Sequence, residues 1–232
     1  TGEEPHNTNE KVIMTRPGAN KEWKEVARFG QKEGNFLPID ILPDGKTAVG
    51  LSDVVTDTNA LTTMNLATGE ISVMAEHPET DLSPIMSIRN GRANEVIGAA
   101  YEYDNIDTVF FTDIEDEYFA KVVQSLTNAF PNASVNINSA TLDNSKIVLS
   151  VSSANHPREF YLFDAEKRAL SLIIKSKPWL DKEEIPQTEI ISYKARDGLT
   201  IKALLTLPKG QKAEDLPLIL LPHGGPHGPR DS

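Results

Sequence analysis

The chain has 232 residues, 39% of them apolar, with a formal net charge of -11 and no cysteine. Acidity of this size disfavours binding to phosphate backbones, and the missing thiols exclude disulfides, a cysteine nucleophile and thiolate metal sites. No apolar run approaches the ~20 residues of a membrane span, and the polar residues 1–6 carry no signal-peptide pattern, so the compartment, cytoplasmic or periplasmic, stays open.

Residues 11–14 and 23–29 read as the two outer strands of an incomplete unit. Leu42-Pro43-Asp44-Gly45-Lys46 then forms a tight turn between apolar segments. Asn65 lies 21 residues after Asp44 and ends a strand over 60–66, and Ala67-Thr68-Gly69-Glu70 leads into another over 71–74. The same arrangement returns further on. Thr141-Leu142-Asp143-Asn144-Ser145-Lys146 is a turn, and Asp164 lies 21 residues after Asp143 and ends a strand over 160–163. Ala165-Glu166-Lys167-Arg168 leads on to residues 170–174. A third turn, Arg89-Asn90-Gly91, is followed by Asp113 at a spacing of 23.

The turns are 46 residues apart (Asp44 to Asn90) and 53 apart (Asn90 to Asp143). Units of four short strands at a period of ~40–50 residues are what β-propeller blades require. One sheet cannot bury both its faces alone, so neighbours must stack. The count is three four-stranded blades plus part of another, below the ~4–8 of a closed propeller. The expectation is the C-terminal part of a propeller over residues 1–175, an open arc without its front half. Exposed blade edges invite pairing, so a homo-oligomer through those edges is expected.

The longer second interval contains residues 114–126, where Phe119, Val122, Val123 and Leu126 recur at three- and four-residue steps. That predicts a helix packed on its blade, with Asp113 or Glu115 capping its start. Residues 176–187 are polar, contain Pro178 and Pro186, and read as a linker. Beyond it, residues 188–232 begin differently. A strand over 189–194, a turn at Arg196-Asp197-Gly198 and a return strand over 200–207 predict a hairpin. Asp-Gly favours a primed turn, because Gly tolerates positive φ. Ile201, Ala203, Leu205 and Leu207 share one face of the return strand.

Residues 216–221 form an apolar run without polar alternation, which suits a strand covered on both faces. It breaks into His223-Gly224-Gly225-Pro226. Glycines there let the backbone bend tightly and present an N–H at the carboxyl end of the strand, where ligands gather in open α/β sheets. A hairpin entering such a strand is how an α/β-hydrolase sheet commonly begins. No G-x-S-x-G occurs in the 232 residues, so the chain reads as a piece of an enzyme that lacks its nucleophile.

A propeller followed directly by this hairpin and by His-Gly-Gly-Pro resembles the prolyl oligopeptidase family of serine peptidases, in its acylaminoacyl-peptidase and dipeptidyl-peptidase-like branch. The match is carried by residues 152–164 (Ser-Ser-Ala-Asn-His-Pro-Arg-Glu-Phe-Tyr-Leu-Phe-Asp), residues 193–201, Leu204-Leu205-Thr206-Leu207-Pro208, and His223-Gly224-Gly225-Pro226 with Arg230-Asp231. The resemblance implies a hydrolase that cleaves short peptides near their N-terminus through an acyl-enzyme, with the propeller restricting access. It implies an oxyanion-hole loop at Gly225, Gly224 and His223. Gly225 donates its N–H, Gly224 keeps the turn open, and His223 shapes the loop. It implies no cofactor and no metal, and places the Ser, Asp, His triad beyond residue 232.

Other arrangements compete. His223 and His227 are four apart, but Gly224, Gly225, Pro226 and Gly228 forbid the helix that zinc binding at that spacing needs. Asp40, Asp44, Asp53 and Asp57 suggest calcium, yet turn chemistry already explains Asp44. Glu102, Asp104, Asp107 and Asp113 lie near Tyr101 and Tyr103, and read either as a solvated edge or as groups meeting a peptide amine in the propeller channel. Two rival functions stand beside the peptidase: a non-catalytic propeller scaffold, and an esterase of the α/β-hydrolase class, whose sheet also carries a His-Gly-Gly loop.

Overall fold

A computed structural model describes residues 2–3, 10–30, 32–88, 95–103, 106–112, 114–181 and 183–222. These residues are mainly β, in a series of antiparallel sheets. The chain divides into two compact units, Thr1–Ser125 and Leu126–Ser232.

Among the described residues, the first unit holds three sheets. In the first, β1 (Gly2–Glu3), β2 (Lys11–Thr15) and β3 (Lys24–Phe29) pair in that order, so β1 adds a strand to the two expected. The second has four strands in sequence order: β4 (Phe36–Ile41), β5 (Thr47–Ser52), β6 (Ala60–Asn65) and β7 (Ile71–Ala75). The third has β8 (Ser83–Met86), β9 (Val96–Glu102) and β10 (Ile106–Phe110), three strands where four were expected. Helix α1 (Glu117–Asn128) follows in place of the fourth, because its apolar residues recur at helical rather than alternating steps.

The second sheet is buried on both faces. Ala48 and Met64 face each other across β5 and β6, and pack with Ile13 and Phe29 of the first sheet and with Phe36. Val49 and Leu61 point the other way and pack with Leu82, Val96 and Ala99. Fully burying a side chain such as Leu61 or Met64 contributes about 1.5–3 kcal/mol. Gly50 makes room for this stack. A Cβ there would meet the Leu37 carbonyl at 2.5 Å and the Phe36 ring at 2.7 Å.

Phe119, Ala120, Val123 and Leu126 form the buried stripe of α1. Its cap differs from the expectation. Asp116, not Glu115, accepts the Phe119 N–H at 3.3 Å; Asp113, the other residue expected to cap, lies outside the described residues. The Glu95 carboxylate accepts the N–H groups of Glu115 and Asp116 at 2.9 and 3.1 Å. A carboxylate from β8–β9 therefore selects the start of the helix, together with the local cap.

The second unit contains a four-stranded sheet, β11 (Ser134–Ala140), β12 (Lys146–Ser153), β13 (His156–Asp164) and β14 (Ala169–Lys175), again in sequence order. Its register repeats that of β4–β7 at a constant offset of 99 residues. Thr47 faces Asn65 as Lys146 faces Asp164, and Leu61 faces Ala75 as Phe160 faces Ile174. The bulges recur at the same offset, at 38/40 and 137/139 and at 61/62 and 160/161. Positive φ recurs as well, at Gly45 and Asn144 and at Gly69 and Arg168.

The turns explain this conservation of geometry. Asp44 accepts the N–H groups of Lys46 and Thr47 at 2.8 and 3.0 Å and the Thr47 hydroxyl at 2.7 Å. Asp143 accepts the Thr141 hydroxyl at 2.7 Å and the Ser145 N–H at 3.1 Å. The Thr141 hydroxyl, followed by the Ser145 amide, holds Asp143 down to about 2. A carboxyl depressed in this way favours the fold above its ordinary range, and that contribution is lost as the pH falls towards about 2.

The hairpin β15 (Thr188–Lys194) and β16 (Thr200–Thr206) is present, with Ile201, Ala203 and Leu205 on its drier face. Its turn is not primed. Gly198 alone has positive φ, its N–H donates to the Ala195 carbonyl, and the Ala195 N–H donates to Leu199. This is a three-residue loop closed by a glycine bulge. Residues 216–221 do not form the expected buried strand. They join no ladder among the described residues, and Ile219 is 89% exposed. An apolar run becomes a parallel-sheet strand only where neighbours pair with it, and among the described residues no strand pairs with residues 216–221.

Two substitutions test the packing and the repeat. Gly50→Ala is expected to destabilise the fold by about 1–3 kcal/mol. Arg168→Gly, which restores the residue type of Gly69, is expected to stabilise it by up to about 1 kcal/mol, because glycine adopts positive φ without steric cost. Urea denaturation of both variants against the parent chain measures each shift.

Candidate functional site

The loop expected to stabilise an oxyanion, His223, Gly224 and Gly225, lies outside the described residues, as does His227. The hairpin that leads towards it is held by its ladder, by Thr188 and Thr206 hydroxyls 2.9 Å apart, and by the Leu199 N–H donating to Asp197 at 3.1 Å.

The acidic group near Tyr101 and Tyr103 is only partly described, since Asp104 and Asp113 fall outside the described residues. Glu102 ends β9, and Asp107 on β10 sits opposite Tyr101. The His77 ring packs 4.8 Å from Tyr101 and 5.0 Å from Tyr103. Thr58 donates to the His77 carbonyl at 2.6 Å and Thr80 to the Glu102 carbonyl at 2.9 Å. The first bond ties the β7–β8 loop to the β5–β6 loop, and the second ties it to the end of β9. Glu102 is half-buried and Asp107 exposed; Asp107 shares the face of Tyr101, and Glu102, the next residue on β9, turns to the other face.

Three of the four aspartates considered for calcium are engaged separately. Asp53 accepts the Asn35 N–H at 2.6 Å, Asp40 accepts the Ile41 N–H at 2.7 Å, and Asp44 closes its own turn. Asp57 is exposed. Among the described residues no three groups of metal-binding type converge.

Among the described residues, the densest ionisable cluster is one that the sequence pattern did not single out. Glu159, on β13, is 3% exposed. Tyr161 lies two residues on, hence on the same face, and its hydroxyl donates to Glu159 Oε2 at 2.5 Å. His156 Nε2 lies 2.9 Å from the same oxygen. Lys175 is the cross-strand partner of Glu159, and its ammonium lies 3.5 Å from Oε1. The Phe130 ring packs 5.3 Å from that of Tyr161. Burial first, then the bond to the Glu159 carboxylate and its charge, push the Tyr161 hydroxyl up to about 12. The strand spacing held a signal for this group. At the offset of 99, Glu159 and Tyr161 replace Ala60 and Thr62, a buried pair on β6.

Chemically, this arrangement holds protons rather than moves them. Glu159 has donors on both oxygens, which leaves it poorly placed to act as a base. Tyr161 is kept protonated throughout the neutral range. The cluster therefore fastens β13 to β14 and ties the first residue of β13 to its middle.

No family model matches the chain. Over 230 aligned residues it is 24% identical to dipeptidyl aminopeptidase BIII of Pseudoxanthomonas mexicana, covering 94% of this chain and 32% of that protein. It is 32% identical over 95 residues to dipeptidyl peptidase family member 6 of Caenorhabditis elegans, covering 41% of this chain and 13% of the relative. The chain thus spans a third or less of the curated relatives it matches. Among solved structures, prolyl oligopeptidase B from Galerina marginata bound to a 35mer substrate aligns with a TM-score of 0.52 at 14% identity, over 88% of this chain and 28% of that one. A likeness at that identity concerns the fold.

Removing the Tyr161 hydroxyl should be visible at high pH. Because its pKa is raised, the group stabilises the fold below its ordinary value near 10, and that contribution is lost as the pH rises through about 12. The tyrosinate absorbance step that Tyr161→Phe removes is expected to centre near pH 12. The variant should lose about 1.5–3 kcal/mol at neutral pH, the range for a hydrogen bond to a charged group.

Proposed function

Since the chain belongs to the prolyl oligopeptidase family of serine peptidases, we propose that it carries part of a peptidase that hydrolyses short peptides. In this reading residues 1–175 are the C-terminal part of the propeller, residues 176–187 the linker, and residues 188–232 the start of the α/β-hydrolase domain. The observation that carries the reading is the order of parts. Blade sheets are followed by the β15–β16 hairpin and then by an apolar run ending in His-Gly-Gly-Pro. One alignment to a dipeptidyl aminopeptidase runs through 94% of the chain, which supports treating these parts as one assembly.

The chemistry follows from the hydrolase architecture. A serine Oγ adds to the scissile carbonyl carbon, and the carbonyl oxygen becomes an oxyanion. The Gly225 N–H donates to that oxygen, and Gly224, without a Cβ, lets the backbone approach it. Losing one such donor typically costs ~10²–10³ in rate. Collapse of the adduct expels the amine and leaves an acyl-enzyme, which water then cleaves. His223 shapes the loop, because the base of this fold follows the nucleophile and the acid in chain order. The 232 residues hold no G-x-S-x-G, so the triad comes from elsewhere in a longer polypeptide and this chain alone does not hydrolyse peptides. The propeller covers the site and admits only short, unfolded substrates.

A panel of chromogenic peptides, acylated and with free amines, tests this with the chain alone and with the longer parent polypeptide. Turnover by the parent only, abolished by a serine-directed phosphonate, is the expected result. A well-folded parent that cleaves none of them would overturn the peptidase reading in favour of an interaction scaffold.

A further inference from the structure

The sheets β4–β7 and β11–β14 share a register, but the chain leaves them differently. From β7 it crosses to β8, and bonds beyond the strand hold the crossing. The Thr58 hydroxyl donates to the His77 carbonyl at 2.6 Å, the Asn59 N–H donates to Asp81 at 2.8 Å, and the Leu82 N–H returns to the Asn59 carbonyl at 2.9 Å. At the offset of 99, Asn59 corresponds to Arg158 and His77 to Ser176. The Arg158 carbonyl accepts the N–H of Ser176 itself, at 2.9 Å, and Ser176 is the first residue after β14. The next backbone bonds are local turns, from the Leu180 N–H to the Lys177 carbonyl and from the Glu184 N–H to the Asp181 carbonyl. The Lys209 ammonium, in the loop after β16, then donates to the Glu183 carbonyl. Residues 176–187 are thus tied to the sheet at Ser176 and to the hairpin segment at Glu183.

Glu159 stands where the chain leaves the sheet. Its cross-strand partner, Lys175, is the last residue of β14 and precedes Ser176. Arg158, whose carbonyl holds Ser176, precedes Glu159. The Lys175 ammonium lies 3.5 Å from Glu159 Oε1, with the Glu159 side chain 3% exposed. Tyr161 and His156 hold the other oxygen, so the carboxylate is fixed from inside the sheet. The equivalent positions of the sister sheet are Ala60 and Glu76, which form no such pair.

We propose that Glu159 is a positioning residue for the domain junction. Acting through Lys175 and the bond between Arg158 and Ser176, it sets the point where the chain leaves the propeller. Bending between sheet and hairpin then begins at Lys177 and not within β14. The proposal rests on residues 176–187 being a linker between two domains. A strand end held by few bonds opens locally at little cost. Opening here would also strip a partner from a buried carboxylate, which is costly. At the other end of β13, Asp164 pairs with Lys146 at 2.9 Å and lies 3.6 Å from the Lys167 ammonium, but that end is closed by its own turn.

Residue-resolved amide hydrogen exchange on the whole chain tests this with two variants. Glu159→Gln keeps the shape and removes the charge. Asp164→Asn removes the charge at the other end of the strand. In the unsubstituted chain a protected Ser176 amide is expected beside a fast-exchanging Trp179 amide. Glu159→Gln is expected to speed Ser176 exchange about fivefold or more, while the buried Ile147 amide of β12 stays within about twofold and Asp164→Asn leaves Ser176 within about twofold. If Glu159→Gln fails to fold, Glu159→Ala combined with Tyr161→Thr replaces it, since that pair copies Ala60 and Thr62. A Ser176 amide as fast as that of Trp179 in the unsubstituted chain overturns the proposal. So does equal acceleration of Ser176 by both variants, or of Ser176 and Ile147 together, which would indicate general loosening of the sheet. None of these readouts needs peptidase activity, so a parent polypeptide that cleaves no peptide overturns the peptidase reading alone.

Discussion

A four-stranded sheet has two faces, and in this chain the constraint on everything else is that both must be covered. Within β5 the alternation that sends Ala48 one way sends Val49 the other, and each belongs to a different cluster of buried side chains. The first sheet closes one side of β4–β7 and the third closes the other. No sheet of the first unit is therefore stabilised by itself, and its cohesion is a sum over neighbours. The fit at each contact is specific to the pair. Phe36 and Gly50 in β4 and β5 occupy the positions that Val135 and Leu149 hold in β11 and β12. One blade combines a large ring with no side chain, and the other uses two medium residues, so a similar volume is filled differently inside the same backbone register.

How much of this was legible in the sequence follows from where the information is local. The turns at Asp44 and Asp143 were readable, because the side chain that makes each turn satisfies amides two or three residues away. Equal spacing to Asn65 and Asp164 then revealed the repeat, and the structure extends it to bulges and positive φ. Features that depend on a distant partner were not readable. The start of α1 is chosen jointly by Asp116 and by Glu95, some twenty residues earlier. The Asp197-Gly198 pair correctly marked a hairpin and a residue with positive φ, but a glycine bulge and a primed turn share that signal. The run over 216–221 has the composition of a buried strand, yet burial belongs to its neighbours and not to its own residues.

The candidate sites show the same division. His223, Gly224 and Gly225 were legible as a motif, because a glycine pair after an apolar run has few other uses, and they lie outside the described residues. The Glu159 cluster was hidden for the opposite reason. His156, Glu159 and Tyr161 look unremarkable in a row of strand residues, and only cross-strand register brings Lys175 to the same carboxylate. A carboxylate two residues from a tyrosine, at positions where the sister blade has Ala60 and Thr62, was the one available clue.

That substitution gives the cluster a structural meaning distinct from catalysis. Replacing a small uncharged buried pair by a carboxylate and its donors rarely adds net stability, since desolvation offsets much of the attraction. What it does supply is discrimination between registers. A slip of one residue would turn Glu159 to the face of Val148 and Leu162, away from Tyr161, Lys175 and His156, and leave a charge against apolar surface. The equivalent slip in β6 would merely exchange Ala60 for Leu61. In β13 both faces carry bulky side chains, with Phe160 and Leu162 on one and Tyr161 and Phe163 on the other, so hydrophobicity alone distinguishes the two registers poorly. The charge on Glu159 makes the distinction that the aromatic and aliphatic residues around it do not.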